Sequence, residues 1–268
     1  MSDLNAKPVC PYCQETKILV DSHIIPRGIW RLKNTGTGFL EASSESHLLP
    51  KKLPKGWYEK LLCQPCDTDI GKDFDQYGRD FFASEPEWTT HTLGPIGAQR
   101  SFSEVRNYNY AKLKLFILSV LWRASLAKNT AFSNIKLLPQ QEARLRKMLK
   151  DNDPGDVHEF GCAIFKYYDD GRSLHKVVFA PRLFRARGCV RYAEIQFNEF
   201  ACRINVSNQK DRWRYDQVWL SPNESLRIIH TSPERKIAVG TKTVQDQHAR
   251  YKAFRQSSSE RAYPIIQR

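Results

Sequence analysis

Two pairs of cysteines constrain the fold of this 268-residue chain more than any other feature. They are Cys10/Cys13 and Cys63/Cys66, and each pair has two residues between its members. Two thiolates at this spacing can bind one ion from a tight turn, and two such turns complete a tetrahedral zinc site. A single C-x-x-C could also be a redox pair, but two of them favour a structural zinc ion. Because a four-thiolate site has no open position, this zinc would fasten two distant segments together rather than catalyse a reaction.

The segments beside the two cysteine pairs are predicted to form two strands and a helix. Residues 17–25 (KILVDSHII) are rich in β-branched and apolar side chains, and Pro26 ends the run. Residues 56–62 form a plausible partner strand that leads into the second pair. In residues 67–82, apolar side chains recur at helical spacing, at Ile70, Phe74, Tyr77 and Phe81. The predicted order is therefore cysteine pair, strand, strand, cysteine pair, helix.

One histidine and several acids lie within or next to these predicted strands and helix. His23 lies in the first strand, and an imidazole with an unperturbed pKa of about 6.5 suits a general base. Asp67 directly follows the second cysteine pair, and Asp21 precedes His23 by two residues. Carboxylates such as these are the ligands that a hard ion such as Mg²⁺ prefers. The plainer alternatives are a half-buried structural histidine and an acid that stabilises the start of a helix.

This combination of motifs resembles the zinc-knuckle branch of the HNH endonucleases over roughly residues 8–82. The motifs are C-x-x-C, an SHII-P strand, and LLC-x-x-C opening a helix. The resemblance implies a ββα-metal fold, in which a strand pair packs against one helix with a divalent ion between them. It also implies that His23 is the general base and that Asp67 binds the catalytic Mg²⁺ or Mn²⁺. Asp21 and Glu59 are further candidates for holding that catalytic ion, although Glu59 could be an ordinary surface acid.

The sequence departs from the family pattern at two positions. The middle asparagine of the family has no counterpart before the second cysteine pair, where Tyr58 and Glu59 stand. Ser22 occupies the position of the acid in the family's Asp-His pair. These departures leave open a variant set of ligands or a copy without activity.

The positive charge of the chain lies outside its cysteine-rich part. The formal net charge is +13, yet residues 1–100 contain 12 basic and 13 acidic side chains. Residues 101–150 contain 10 and 2, and residues 201–268 contain 13 and 6. Such an excess suits nucleic acid, although it can also serve solubility. A helix predicted to start at Pro139 carries four cations that we expect to contact phosphates, unless they form an ordinary solvated face: Arg144, Arg146, Lys147 and Lys150.

The predicted fold class is α+β, with an N-terminal zinc-stapled ββα-metal module followed by a helix-plus-antiparallel-sheet domain. The predicted parts are an HNH-like module over 1–83, a linker over 84–105, an accessory domain over 106–242 and a basic segment over 243–268. Apolar residues cover nearly every face from Leu113 to Leu126, which predicts a buried helix. From residue 158 onward the alternation of apolar and polar residues predicts strands.

The sequence offers no segment suited to a membrane. The N-terminus lacks the apolar core of a signal peptide, and the longest strongly apolar run, Leu115 to Trp122, is too short to span a bilayer. We therefore expect a cytoplasmic protein without a membrane partner. Reduced thiols in that compartment again favour metal binding over disulfides.

The leading hypothesis is a metal-dependent endonuclease that hydrolyses phosphodiester bonds, most simply in DNA. It would use structural Zn²⁺ and catalytic Mg²⁺ or Mn²⁺. Since similar standalone proteins are often bacterial or phage-borne, the resemblance also implies a role in antiphage defence. The alternative is a catalytically inactive zinc-knuckle module that binds nucleic acid. In a third hypothesis, the accessory domain docks a protein partner or a second copy and so regulates the nuclease.

Overall fold

The computed structural model describes residues 8–30, 39–42, 51–53, 56–93, 100–167, 177–179, 181–185, 190–207, 218–222 and 225–231. The described chain is mixed α+β, as predicted. The predicted basic segment over 243–268 and the end of the predicted accessory domain, from residue 232, lie outside the described residues.

The regular elements alternate short strands and helices in the first part of the chain and are mostly strands in the last part. In chain order they are β1 (Leu19–His23), α1 (Arg27–Trp30), β2 (Phe39–Ala42), β3 (Lys51–Leu53), β4 (Tyr58–Cys63), α2 (Gln64–Ile70), a π-helical turn (Gly71–Asp75), α3 (Gln76–Ala83), a 3₁₀ turn (Glu85–Glu87), β5 (Thr89–Leu93), β6 (Arg100–Val105), α4 (Tyr110–Leu126), a second 3₁₀ turn (Thr130–Phe132), α5 (Pro139–Asp151), β7 (Cys162–Tyr167), β8 (Val177–Phe179), β9 (Arg182–Arg185), β10 (Arg191–Phe197), β11 (Phe200–Asn205) and β12 (Leu226–Thr231).

The cysteine-rich region is built from β1, β4 and the helical stretch that follows β4. Strands β1 and β4 pair antiparallel into a two-stranded ribbon, with a register shift between Val20 and Asp21. The chain then passes directly from β4 into α2, where Pro65 occupies the first helical turn, a position that lacks an intrahelical N–H partner in any case. The π-helical turn and α3 continue the same helical stretch to Ala83. The two strands and the helix predicted around the cysteine pairs are thus confirmed.

A seven-stranded sheet dominates the rest of the described chain. Its strand order is β5-β6-β12-β7-β11-β10-β9, and its pairs are antiparallel except for the parallel pair β12–β7. Residues 84–105, predicted to be a linker, instead contain β5 and β6. Their alternation of apolar side chains is weak because one face of β6 is polar, with Ser101 and Ser103 bonded to the two ring nitrogens of His230. A separate three-stranded sheet has the order β3-β2-β8.

Helix α4 forms the centre of the molecule. Every residue from Leu113 to Ser125 is buried, which confirms the predicted buried helix. Helix α3 packs on one part of α4 so closely that a Cβ atom at Gly78 would lie 2.5 Å from the ring of Phe116. One hydrophobic cluster runs from Cys10 through α4 to Ile228 on β12. The cysteine-rich region and the sheet therefore share a core, and α4 belongs to both.

None of the helices among the described residues combines the length and the apolar character that crossing a bilayer requires.

Candidate functional site

The four predicted cysteines come together in one cluster. The Sγ atoms of Cys10, Cys13, Cys63 and Cys66 all lie within 4.8 Å of one another, and those of Cys13 and Cys63 are 3.9 Å apart. Four thiolates around one Zn²⁺ at bonds of about 2.3 Å would have sulfur atoms about 3.8 Å apart. A disulfide, by contrast, needs an S–S distance of about 2.05 Å. The cluster could therefore hold one metal ion, and its cysteines are not disulfide-bonded.

Local structure brings the four sulfur atoms to one point. Cys10 starts a tight turn in which the N–H of Gln14 donates to the Cys10 carbonyl at 2.8 Å, and Gln14 adopts a positive φ of 66°. Cys63 ends β4, and Cys66 lies in the first turn of α2. The backbone N–H of Cys63 donates to Cys10 Sγ at 3.4 Å, which ties the two turns together directly.

The thiols of the cluster have shifted pKa values. Burial alone would raise the pKa of Cys10, but backbone N–H groups, that of Cys63 foremost, outweigh it and lower the pKa to about 7. Burial raises the pKa of Cys63 and, more strongly, that of Cys66, whose neighbouring thiols add to the shift. A cation is what would keep all four sulfur atoms ionised together, because metal ligation requires deprotonated thiols.

His23 lies on the outer face of the β1–β4 ribbon. It pairs with Tyr58, and Asp21 pairs with Lys60. Directly paired residues, and residues two apart in a strand, point to the same face of a sheet. These four side chains therefore share one face, on which the ring centroids of His23 and Tyr58 are 6.1 Å apart. His23 is half-buried and Tyr58 is 42% exposed, so the imidazole does not point into solid hydrophobic packing.

Ser22 and Glu59 lie on the opposite face of the ribbon, where they pair with each other. Ser22 is fully buried, and its hydroxyl accepts the N–H of Leu62 at 3.3 Å. The Glu59 carboxylate accepts the backbone N–H groups of Lys128 and Asn129 at 2.9–3.1 Å, just beyond the end of α4. The structure thus does not bring Glu59 to the face that carries His23, and this carboxylate binds main chain instead.

Two of the acids along the helical stretch after the second cysteine pair, Asp67 and Asp75, are relevant to this region. Asp67 is half-buried in the first turn of α2. Asp75 ends the π-helical turn, and its side chain is 17% exposed. Burial raises the pKa of the Asp75 carboxyl, the Arg123 guanidinium opposes this, and Asp67 and His23 act on it with smaller electrostatic effects. Asp75 therefore lies within electrostatic range of both predicted residues.

Arg123 is a buried charged residue beside Asp75 that the sequence analysis did not single out. It projects from α4 and is only 2% exposed. Its Nη2 lies 2.6 Å from Asp75 Oδ1 and its Nη1 lies 2.9 Å from Oδ2, while Nη1 also donates to the main-chain carbonyl of His23 at 3.0 Å. A signal for it was available, since an arginine in the last turn of a helix that is apolar all round must find a buried partner.

The helical face between Asp67 and Asp75 is open. Gly71 lies four residues from each, and a Cβ atom placed on it would meet no other atom within 4 Å. The helix surface at Gly71 therefore faces open space. Among the residues that the structure describes, the four cysteines are the one group of three or more His, Cys, Asp or Glu side chains close enough to share an ion.

The four cations predicted to contact phosphate differ in their surroundings on α5. Arg144 binds Glu159 through two hydrogen bonds of 2.7 Å, and Lys147 pairs with Asp151. Arg146 and Lys150 have no ion pair with a residue of the described part of the chain. Beside Arg144, the start of α5 and the segment around Glu159 line a cavity of about 450 Å³.

Comparison of the chain with protein-family models, with curated proteins and with solved structures finds no match. Its function is therefore inferred from the cysteine cluster, the ribbon face that carries His23 and the acids on the helix.

Proposed function

We propose that this chain is a metal-dependent nuclease of the HNH type that hydrolyses phosphodiester bonds at His23 and Asp67. One observation carries the proposal. The guanidinium of Arg123 binds both the main-chain carbonyl of His23, at the end of the ribbon, and the carboxylate of Asp75, on the helical stretch that also carries Asp67. The ribbon and the helix start from the same four-cysteine cluster, for which we propose Zn²⁺ because four thiolates in a tetrahedron suit that ion. The topology of strand, strand and helix is the one that the resemblance to HNH enzymes implies.

The proposed reaction needs a base and a site for phosphate. The His23 imidazole would accept a proton from the attacking water, a task that suits a group whose unperturbed pKa is about 6.5. The Asp67 carboxylate would hold a divalent ion, which when bound stabilises the negative charge of the leaving oxygen. The half-buried position of His23 leaves its ring reachable from the outer face of the ribbon.

The residues present fit a Mg²⁺ or Mn²⁺ ion with one or two protein ligands better than an ion whose ligands all come from the protein. Asp67 is half-buried, Asp21 is exposed on the His23 face, and Asp75 is occupied by Arg123. Mg²⁺ is commonly bound through one or two carboxylates, with waters and substrate phosphates completing its shell. Asp67, with Asp21 as a second candidate, is consistent with that pattern. Glu59 is left out because its carboxylate binds the main chain after α4.

Nucleic acid, most simply DNA, is the proposed substrate. The net charge of +13 supports a polyanionic partner. On α5, Arg146 and Lys150 are the better candidates for phosphate contact, since the charges of Arg144 and Lys147 are balanced by neighbouring acids. Such contacts would supply affinity without reading sequence.

The second candidate function is a binding module without catalysis. It is favoured by the absence, among the described residues, of a second group of three ligands close enough to share an ion. The missing family asparagine points the same way. In this case the cysteine cluster and the cations would serve binding alone.

A cleavage assay separates the two functions. Purified, zinc-loaded protein is incubated with plasmid DNA and Mg²⁺ or Mn²⁺, and the rates are compared for the wild type, His23→Ala, Asp67→Ala and the control His158→Ala. His158 is an exposed histidine outside the proposed site. We expect His23→Ala to lose at least about 100-fold in rate, as expected for a general base. Asp67→Ala should lose metal-dependent cleavage, while His158→Ala should cut like the wild type.

Two controls keep this result interpretable. Zinc content and circular dichroism should be unchanged in all three variants, since none of them alters a cysteine. Binding of DNA without cleavage under every divalent ion would favour the binding module and reject the nuclease.

A further inference from the structure

We infer that Arg123 is a positioning residue of the proposed site, which fixes the main chain at His23 and the carboxylate of Asp75 in one geometry. The catalytic consequence rests on the proposed nuclease function. The positioning itself is a statement about the folded protein and can be tested separately. Arg123 lies on α4, outside the part of the chain over which the family motifs extend.

The guanidinium of Arg123 uses all of its hydrogen-bonding capacity. Nε donates to the Ser119 carbonyl at 3.3 Å and Nη2 to the Ser119 hydroxyl at 3.2 Å. The remaining three bonds reach the two carboxylate oxygens of Asp75 and the carbonyl of His23. An arginine offers five N–H donors in a planar fork, so each donor here has an acceptor. A lysine would keep the charge but could not reach this set of acceptors from one ammonium group.

The bond to the His23 carbonyl has a specific mechanical effect. His23 is the last residue of β1, where the ribbon ends and its ring projects on the outer face. Its carbonyl accepts a hydrogen bond from the Arg123 guanidinium. That guanidinium is itself held by hydrogen bonds to Asp75 and Ser119. A displacement of a catalytic group by about 1 Å can lower the reaction rate about 100-fold. A fixed main chain at His23 therefore matters for its proposed role as a general base. Asp75 in turn balances the buried charge of Arg123, which would be costly if unpaired.

The same helix also fixes the second strand of the ribbon. Glu59 on β4 accepts the backbone N–H groups of Lys128 and Asn129, which directly follow α4. Further along, the rings of Trp57 and Phe132 pack edge to face at 5.2 Å. Strand β1 is thus held through Arg123 and strand β4 through Glu59, both from α4 and the chain that follows it. The proposed site is consequently a product of the whole fold and not of the cysteine-rich region alone.

The test compares Arg123→Gln and Arg123→Lys with the matched control Arg203→Gln in the full zinc-loaded chain. Arg203 is an equally buried arginine, 3% exposed, and binds Glu194 at 2.7 Å within the seven-stranded sheet. One readout is the ¹H–¹⁵N NMR signals of the His23 ring and of the amide of Ile24. The other is kcat and KM for plasmid cleavage.

Arg123→Gln should shift the His23 signals and lower kcat by about 100-fold while changing KM much less, because geometry and not binding is lost. Arg123→Lys should lie between it and the wild type, with a loss of about 10-fold. Arg203→Gln should lower the melting temperature but leave both readouts at wild-type values. A merely structural role for Arg123 would make the Arg123→Gln and Arg203→Gln variants behave alike.

Each outcome decides the inference. Wild-type His23 signals and kcat in folded Arg123→Gln overturn it. If that variant does not fold, Arg123→Lys decides, and unshifted His23 signals in it overturn the inference in the same way. If the wild type cuts no substrate, the proposed nuclease function fails, and the NMR comparison still decides whether Arg123 positions His23.

Discussion

The cysteine-rich region and the seven-stranded sheet are held together in different ways. The first has one ribbon of two strands and one helical stretch. A two-stranded ribbon is marginal by itself in water. This region therefore depends on its cysteine cluster and on α4. The sheet has a broad apolar face against α4 and a second cluster on its other face, which includes Phe165, Tyr192 and Trp219.

This contrast shows that a recognisable motif need not be an independent domain. The cysteine-rich region carries the residues with which we associate chemistry, yet its core continues into α4 without a boundary. The sheet carries no comparable motif, but its apolar residues belong to the same hydrophobic cluster as α4. Substitutions in the two regions should therefore have different consequences, and four sets of variants test this.

Removal of one cysteine of the cluster should have the largest effect. Cys63→Ser should lose bound zinc and several kcal/mol of stability, since a structural zinc ion contributes folding free energy directly. The matched control is Cys202→Ala, which alters a buried cysteine of β11 outside the cluster. Metal content by mass spectrometry and hydrogen exchange by peptide check the result. Exchange should rise most in β1, β4 and α2, spread into α4, and leave β10 and β11 protected.

Full zinc content in Cys63→Ser would reject a shared four-sulfur site. An equal loss of protection in the sheet would instead contradict the distinction between the two regions, because the whole fold would then depend on the metal.

Two glycines of the same helical stretch provide the second test. Gly78→Ala would bring a Cβ atom to 2.5 Å from the Phe116 ring, whereas Gly71→Ala would meet nothing within 4 Å. Overpacking at Gly78 should cost about 1–3 kcal/mol, because α3 and α4 must separate. Gly71 has helical φ and ψ of −60° and −44°, so alanine there should add stability, by about 0.5–1 kcal/mol. Urea denaturation measures both, and a neutral Gly78→Ala would contradict the close packing of α3 on α4.

Replacement of the cations of α5 should have an effect of intermediate size on DNA binding. The double variants Arg146→Ala/Lys150→Ala and Arg144→Ala/Lys147→Ala remove the same charge from one helix. The first should reduce the slope of log K against log salt for DNA binding by about 2, or about 1 for each phosphate contact. The second should reduce it less, because Glu159 and Asp151 already balance those charges.

Fluorescence anisotropy over a series of salt concentrations gives both slopes. Equal slopes in the two variants would show that ion pairing on α5 does not select the phosphate contacts, and slopes like that of the wild type would remove α5 from the proposed binding surface.

The smallest effect is expected from a pH-dependent ion pair beside α5. Hydrogen bonds from Arg144 hold the pKa of the Glu159 carboxyl below its ordinary value, against the opposing effect of burial. A carboxyl with a depressed folded-state pKa adds stability above its unfolded-state pKa, about 4.3, and that stability is lost as the pH falls through the folded-state value. Glu159→Gln should therefore cost about 0.5–1 kcal/mol at neutral pH and nothing in strong acid. Urea denaturation at both pH values checks this, and a cost that persists in acid would point to packing and not charge.

The parts of the fold that the sequence predicted are those determined by short stretches of chain. The strand that carries His23, the strand before Cys63 and the helix after it follow from local periodicity and from the cysteine spacing. The buried helix α4 and the helix that begins at Pro139 were likewise predicted because their patterns are unambiguous.

The parts that were missed depend on partners far away in the chain. Arg123 meets Asp75 across 48 residues and the His23 carbonyl across 100, and no local pattern encodes such contacts. Glu59 was grouped with His23 because of its position in the sequence, but the strand alternation turns it to the other face of the ribbon. The sequences of β5 and β6 show no clear alternation of apolar residues, because Ser101 and Ser103 of β6 form hydrogen bonds with the ring of His230.

The π-helical turn at Gly71–Asp75 has an angular consequence. In a regular α-helix each residue advances by about 100°, so a residue eight positions on lies about 80° around the axis. A π turn, with its i→i+5 hydrogen bond, accommodates one additional residue in nearly the same rotation and so swings later residues back. The side chain of Asp75 is thereby rotated toward the azimuth of Asp67. The same separation of eight residues in an uninterrupted α-helix would instead direct Asp75 sideways, about 80° away from Asp67.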